Sequence, residues 1–232
     1  MPSREDQLAA NLAAVRERVA KASAAVGRSA DEVTVIAVTK TFSASDVRLL
    51  AGLGVTDIAE NRDQEAAAKA AECSDLPLRW HFVGQLQTNK ARSVVSYSDV
   101  VHSVDRERLV TALSRAAIDA DRSVRCLVQV ALDDAEGRGG VRPDGVAALA
   151  DAIAAAPGLT LGGLMAVAPL DGDPAAAFGR LAEVAAVLRA THPGADMISA
   201  GMSGDMAEAI ACGATHVRVG TALLGGRRAI VR

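Results

Sequence analysis

Aromatic residues are scarce in this 232-residue chain: one Trp, one Tyr and three Phe make up 2% of it. Half of the residues are nonetheless hydrophobic, so a sizeable core must be assembled from Ala, Val, Leu and Ile. No basic stripe is present, and the net charge is −3 with a pI near 5.8. Without positive charge or stacking rings, the chain does not read as a nucleic-acid binder. Cysteine is sparse too. Cys73, Cys126 and Cys212 are far apart, form no CxxC pair and do not combine with the four histidines at metal-ligand spacing. Such an odd, scattered set predicts buried free thiols in a reducing compartment. No apolar signal segment is visible, because Met1 to Asp6 is polar and runs into an amphipathic helix. The uncharged stretch from Ala152 to Leu170 is long enough to span a bilayer. Pro157-Gly158 and Gly162-Gly163 divide it into helix end, turn and strand, so it reads as soluble core. A cytoplasmic protein away from membranes is expected.

Hydrophobic periodicity alternates between two values along the chain. Leu8, Leu12, Val15, Val19 and Val26 fall near one helical face that Gly27 ends. Val33 to Thr39 is a β-branched apolar run, the mark of a strand buried on both faces of a parallel sheet. Seven further strands are predicted at Val55–Ala59, Arg79–Val83, Asp99–His102, Val124–Ala131, Leu159–Val167, Asp196–Ala200 and His216–Gly220. A helical segment precedes each. Asp105, Pro143, Asp173-Pro174 and Ser203 are the predicted helix starts in the later segments. Eight such units close naturally into a single (β/α)8 TIM barrel with one extra N-terminal helix. An open doubly wound sheet is the alternative. No linker, repeat or low-complexity tract divides residues 1–232, so one domain is expected.

Active sites of these barrels lie at the carboxyl ends of the strands. The first strand delivers Lys40 there. A lysine at that mouth can form a Schiff base with a carbonyl if its amine is kept partly neutral, although a solvated lysine at a strand end would look the same. In His216-Val-Arg-Val-Gly220, alternation turns Val217 and Val219 to the outer helices and Arg218 into the barrel. A buried guanidinium needs a partner, so an interior salt bridge competes with a ligand contact. Trp80-His81-Phe82 likewise turns His81 inward, as a core histidine or a ligand contact. Asn61 follows the second strand near the mouth. Ser199 to Ser203 leads into a predicted helix whose free amides suit an anion. Gly220-Thr221 offers a close backbone and a hydroxyl one strand further on. An aldehyde at one end of a ligand and a phosphate at the other fit this pattern, as in a phosphosugar or pyridoxal 5′-phosphate (PLP).

Several stretches together resemble a known family. Ile36-Ala-Val-Thr-Lys40, Glu60-Asn61, Trp80-His-Phe-Val-Gly84, Leu86-Gln-Thr-Asn-Lys90, Gly163-Leu-Met165, Gly201-Met-Ser203 and Val217-Arg-Val-Gly-Thr-Ala222 are similar, in order, to the PLP homeostasis proteins (the YggS/PROSC family). The likeness runs from about Leu8 to Arg227. These proteins resemble the barrel domain of alanine racemases. The resemblance implies a Schiff base between PLP and Lys40, and Arg218 at the pyridine nitrogen. It implies Ser199, Ser203, Gly220 and Thr221 around the phosphate, with Asn61, His81 and Met165 lining the ring pocket. The chain departs from the family pattern at Ala59, where glycine is usual, at Ala200, where a second methionine is usual, and at Gly137-Arg-Gly-Gly140, where a Lys-Ser-Gly-like loop is usual.

An arginine at the pyridine nitrogen acts as a donor and leaves that nitrogen unprotonated. The ring is then a weak electron sink, which disfavours transamination and decarboxylation. Racemisation needs acid–base groups on both substrate faces, which alanine racemases complete with a tyrosine from a further domain. Here the chain ends soon after its last strand, and the lone Tyr97 precedes the fourth strand, at the other end of the barrel. A monomeric PLP carrier that hands the vitamin to apoenzymes with little or no amino-acid turnover is expected. A single-domain racemase using His81 as base, or a Schiff-base phosphosugar lyase, are the alternatives.

Overall fold

A computed structural model describes residues 2–133 and 139–226. Gly137 and Arg138, part of one departure from the family pattern, lie outside the described residues. Eight parallel strands form a closed barrel in chain order. They are β1 (Thr34–Val38), β2 (Asp57–Glu60), β3 (Arg79–Phe82), β4 (Val100–Val104), β5 (Val124–Gln129), β6 (Leu159–Met165), β7 (Met197–Ser199) and β8 (His216–Val219). The helices are α1 (Arg4–Ala24), α2 (Ala44–Gly52), α3 (Asp63–Glu72), α4 (Ala91–Tyr97), α5 (Glu107–Asp119), α6 (Val146–Ala155), α7 (Pro174–Thr191), α8 (Met206–Ala211) and α9 (Thr221–Leu224). Barrel closure comes from the pairing of β1 with β8, where Ile36 stands beside Arg218.

Several ladders stop short of the apolar runs that predict them. The loops beyond the strands stay buried, as at Val130 and Ala200, so apolar character outlasts the ladder. The helix starts follow local capping chemistry. Ser3 and Ser43 each form a capping box, with Asp6 and Asp46. Asp173 accepts the amide of Ala175 ahead of Pro174. Two predicted caps are corrected. Asp105 does not cap α5: Arg106 is the residue ahead of that helix, and Asp105 pairs with its guanidinium. Ser203 does not cap α8, which starts three residues later behind Asp205. Val26 lies past the end of α1 and is exposed, whereas Leu8, Leu12, Val15 and Val19 are buried as their spacing predicts.

Alternation sorts the side chains. Trp80 and Phe82 belong to two different outer apolar clusters, the first including α1 and α2 residues and the second α4 and α5 residues. Val217 and Val219 join the first of these. Val100, Leu127, Met165 and Met197 form a separate inner cluster. Two glycines are required by close approach. Gly163 has φ +138°, and a Cβ there would meet the Met197 carbonyl oxygen at 2.0 Å. A Cβ on Gly84 would meet the Asn61 carbonyl oxygen at 2.1 Å, so the turns after β2 and β3 touch backbone to backbone.

Outside the strands, Glu60 and Lys69 form a buried ion pair between β2 and α3. Lys69 Nζ also donates to the Thr39 carbonyl at 2.9 Å, and Thr39 Oγ1 donates to Glu60 Oε1 at 2.6 Å. The peptide before Lys40 is thereby pinned from behind. Breaking a buried pair by removing one partner strands the other charge, at a cost of about 3–5 kcal/mol. Lys69→Met is expected to lower unfolding stability by that order in urea titrations. The double variant Lys69→Met, Glu60→Gln should recover much of the loss.

Candidate functional site at the barrel mouth

Thr39 faces outward with Glu60, so Lys40 follows on the inner side of the barrel wall, in the alternation of Ile36 and Val38. The next residue, Thr41, has φ +70°. A β-branched residue in that region is strained, and such strain collects at functional turns. On the neighbouring strand, β8 presents Arg218 and then Gly220-Thr221 at the start of α9. Gly220 sits against Val38, where an added Cβ would make only ordinary contact. The loop between β7 and α8 is tied to this corner: the Ala222 amide donates to Ser203 Oγ at 3.2 Å. The same loop is folded on itself, the Met202 amide donating to Asp205 Oδ1 at 2.6 Å. Lys40, Ser203, Gly220 and Thr221 are thus gathered at one rim, with Asn61 following β2 beside them.

Arg218 is the centre of the site and lies almost fully buried. Nη1 donates to the Ser199 carbonyl and to Ser199 Oγ, both at 2.7 Å, and Nη2 donates to the Ala166 carbonyl at 2.9 Å. Of the five guanidinium N–H groups, two have no protein acceptor among the described residues. The interior salt bridge that the sequence left open is not formed there. Burial pushes the Arg218 pKa down to about 10, and the Asp205 carboxylate works against that fall. The group remains a cation at neutral pH.

Ser199, His81 and Met165 are buried in the barrel interior. Ser199 Oγ bonds Arg218 and His102 Nδ1, the latter at 2.9 Å. His81 is bound at both ring nitrogens, by His102 Nε2 at 2.8 Å and by Asp57 Oδ1 at 2.9 Å. Met165 belongs to the inner apolar cluster. Asn61 is the opposite case, for its Oδ1 is buried with no partner. His102 and Asp57 are the interior residues that sequence reasoning missed. The available signal was a lone imidazole within the apolar run Val100–Val104, in the same inward phase as His81.

Tyr97 closes α4 near Cys73, Trp80 and Asp99, around a cavity at the foot of the barrel wall. Burial, and then the charges of Asp63 and Glu60, push its phenol pKa far up. The three cysteines are free, and burial raises Cys126 to about 12. Among the described residues no cluster of three metal-ligating side chains occurs. None of their helices is long and apolar enough to cross a membrane.

Comparison with known proteins gives the family and the fold. Residues 5–228 match the model of the alanine racemase N-terminal domain. The pyridoxal phosphate homeostasis protein of Mycobacterium tuberculosis is 44% identical, over 98% of this chain and 95% of that protein. Its Escherichia coli counterpart is 36% identical, over 96% and 97%. Among solved structures, PipY of Synechococcus elongatus PCC7942 with PLP bound superposes with a TM-score of 0.83 at 36% identity, covering 94% of this chain and all of that one. The D-threonine aldolase of Filomicrobium marinum, 19% identical with a TM-score of 0.77, covers 94% of this chain and 60% of its own, and shares the fold. The chain belongs to the pyridoxal phosphate homeostasis protein family, built on the alanine racemase N-terminal barrel.

The interior imidazoles make stability depend on pH. Burial foremost, and then the nearby Arg218 cation, drive the His102 pKa well below its ordinary value. Burial foremost lowers His216 from 6.5 to about 4. Below pH 6.5 the unfolded chain takes up protons that the folded chain refuses, so stability falls as pH falls toward 4. At ~1.4 kcal/mol per pH unit, His216 alone removes about 3 kcal/mol by pH 4. Urea midpoints measured from pH 7 to 4.5 should decline steadily, and less steeply in His216→Gln. A flat profile would contradict the neutral interior.

Proposed function

We propose that this chain binds PLP at the barrel mouth and serves PLP homeostasis, storing the cofactor and delivering it to apoenzymes. The amine of Lys40 holds the aldehyde as a Schiff base. Arg218 faces the pyridine nitrogen. Ser203, Gly220 and Thr221 surround the phosphate, with Asn61 beside the ring. One observation carries the reading: adjacent strands β1 and β8 bring Lys40, Arg218 and Gly220-Thr221 to a single rim. The residues suit the group. Two guanidinium donors and the buried Asn61 Oδ1 lack protein partners there.

When bound, PLP supplies an aldehyde that joins amines reversibly and a ring that accepts electrons. The chain's residues favour the first property over the second. Arg218 stays protonated and can only donate, so the ring nitrogen is left without a proton. Neither candidate for a second acid–base group serves among the described residues: both nitrogens of His81 are occupied, and Tyr97 lines a cavity at the foot of the wall. These features support storage and transfer over racemisation or a phosphosugar lyase. The same reading takes residues 1–232 as one domain, monomeric and cytoplasmic.

Borohydride reduction of the PLP-loaded protein, followed by digestion and mass spectrometry, should place a pyridoxyl mass on Lys40. Lys40→Ala should lose the yellow band. A tag on another residue, or none, overturns the proposal. Loaded protein should restore activity to an apo PLP enzyme while leaving alanine and serine enantiomers unchanged.

A further inference from the structure

A chain of four hydrogen bonds crosses the barrel interior beneath Arg218. Arg218 Nη1 meets Ser199 Oγ at 2.7 Å, Ser199 Oγ meets His102 Nδ1 at 2.9 Å, His102 Nε2 meets His81 Nδ1 at 2.8 Å, and His81 Nε2 meets Asp57 Oδ1 at 2.9 Å. Every linking side chain is buried. Asp57 opens β2, and Arg79 opens β3. Asp57 therefore lies toward the amino-terminal end of the barrel, bonded by Arg79 at 3.0 Å and by Thr56 Oγ1 at 2.7 Å. Arg79 itself is 58% exposed. The chain links the mouth to the far side.

Its direction follows from its ends. A guanidinium has no acceptor, so Ser199 Oγ must accept from Arg218. The serine proton is then given to His102 Nδ1. His102 carries its own proton on Nε2 and donates it to His81 Nδ1. His81 in turn carries its proton on Nε2 and donates it to Asp57, a carboxylate that can only accept. One terminus can only donate and the other can only accept, and both impose the same direction. Reversing any internal link would leave the serine proton without an acceptor in a buried site, which is costly.

We propose that Asp57, His81, His102 and Ser199 are positioning residues for Arg218, a one-way relay of hydrogen bonds that fixes the guanidinium as a donor toward the mouth. The relay makes the field at the bound ring depend on a carboxylate four links away. The inference rests on Arg218 facing the PLP ring nitrogen, as read above. It also assigns Ser199 and His81 to the support of Arg218 rather than to contact with phosphate or ring.

The first test needs no cofactor. Nitrogen-15 NMR of the histidine rings in the cofactor-free protein should show His102 and His81 each as a single Nε2–H tautomer. Observing Nδ1–H on His102 overturns the relay. In Asp57→Asn the amide offers donors as well as an acceptor, so the polarity is no longer imposed. Mixed tautomers are expected there, and unchanged single tautomers count against the carboxylate as anchor. The second test uses the PLP-loaded protein. Asp57→Asn and Ser199→Ala should shift the visible band and speed PLP release by about two- to thirtyfold, the range for substitutions along a coupled network. The shift should appear in variants whose urea midpoints stay near that of the parent. An unmoved band and release rate in both variants overturns the coupling. Absence of any band in the parent protein sinks the cofactor reading instead, and leaves the tautomer result standing.

Discussion

A cation buried inside the barrel constrains everything around it. Arg218 is taken from water, and no carboxylate among the described residues bonds to it directly. Its nearest partners are two carbonyl oxygens and one hydroxyl. Burying a charge is tolerated only when hydrogen bonds replace hydration, and charge-assisted bonds do so best. A carboxylate in contact would have neutralised the group and spent its donors. Carbonyls stabilise the cation while leaving net positive charge and two free donors at the mouth. The arrangement therefore serves an outside acceptor better than a structural salt bridge would.

The second charged pair works from the opposite side of the same wall. Glu60 and Lys69 lie outside the strands, where apolar contacts would pack at least as well. Their position gives them a local task. Lys69 grips the Thr39 carbonyl, and Thr41, two residues on, holds a left-handed backbone that a threonine resists. A lysine presented from a strained turn needs a fixed peptide behind it. Arg218 and Lys40 are thus each held from outside the mouth, one through the barrel core and one through the α3 side.

Much of this was readable from periodicity alone. Alternation in β3 and β8 places His81 and Arg218 inside, with Trp80, Phe82, Val217 and Val219 outside, because a strand buried on both faces still obeys a two-residue period. The eight strands are legible for the same reason. What the sequence does not disclose is depth. Inward residues on adjacent strands sit at different heights, set by strand register in the closed barrel. His81 and Ser199 read from the sequence as candidate ligand contacts, and the fold also gives them partners within the barrel. Ser203 illustrates a different gap: a serine before a short helix looks like a cap, but the hydroxyl is bound by Ala222 of the next unit, a contact that only the fold creates.

The interior chain also bears on the proposal that this barrel holds a cofactor rather than turning over substrates. Buried imidazoles in a barrel could act as bases only with a free nitrogen within reach of a bound molecule. Here His102 and His81 use both nitrogens on each other, on Ser199 and on Asp57. Burial pushes against ionisation of Asp57, but the bonds from His81 and Thr56 and the charge of Arg79 prevail, holding it at about 2. The carboxylate therefore stays charged across the physiological range and keeps the chain oriented. Imidazoles committed in this way are structural donors, not exchangeable ones. Among the described residues, the guanidinium edge of Arg218 and the amide oxygen of Asn61 are left without a protein partner, as the proposed capture of an aldehyde-bearing ligand requires.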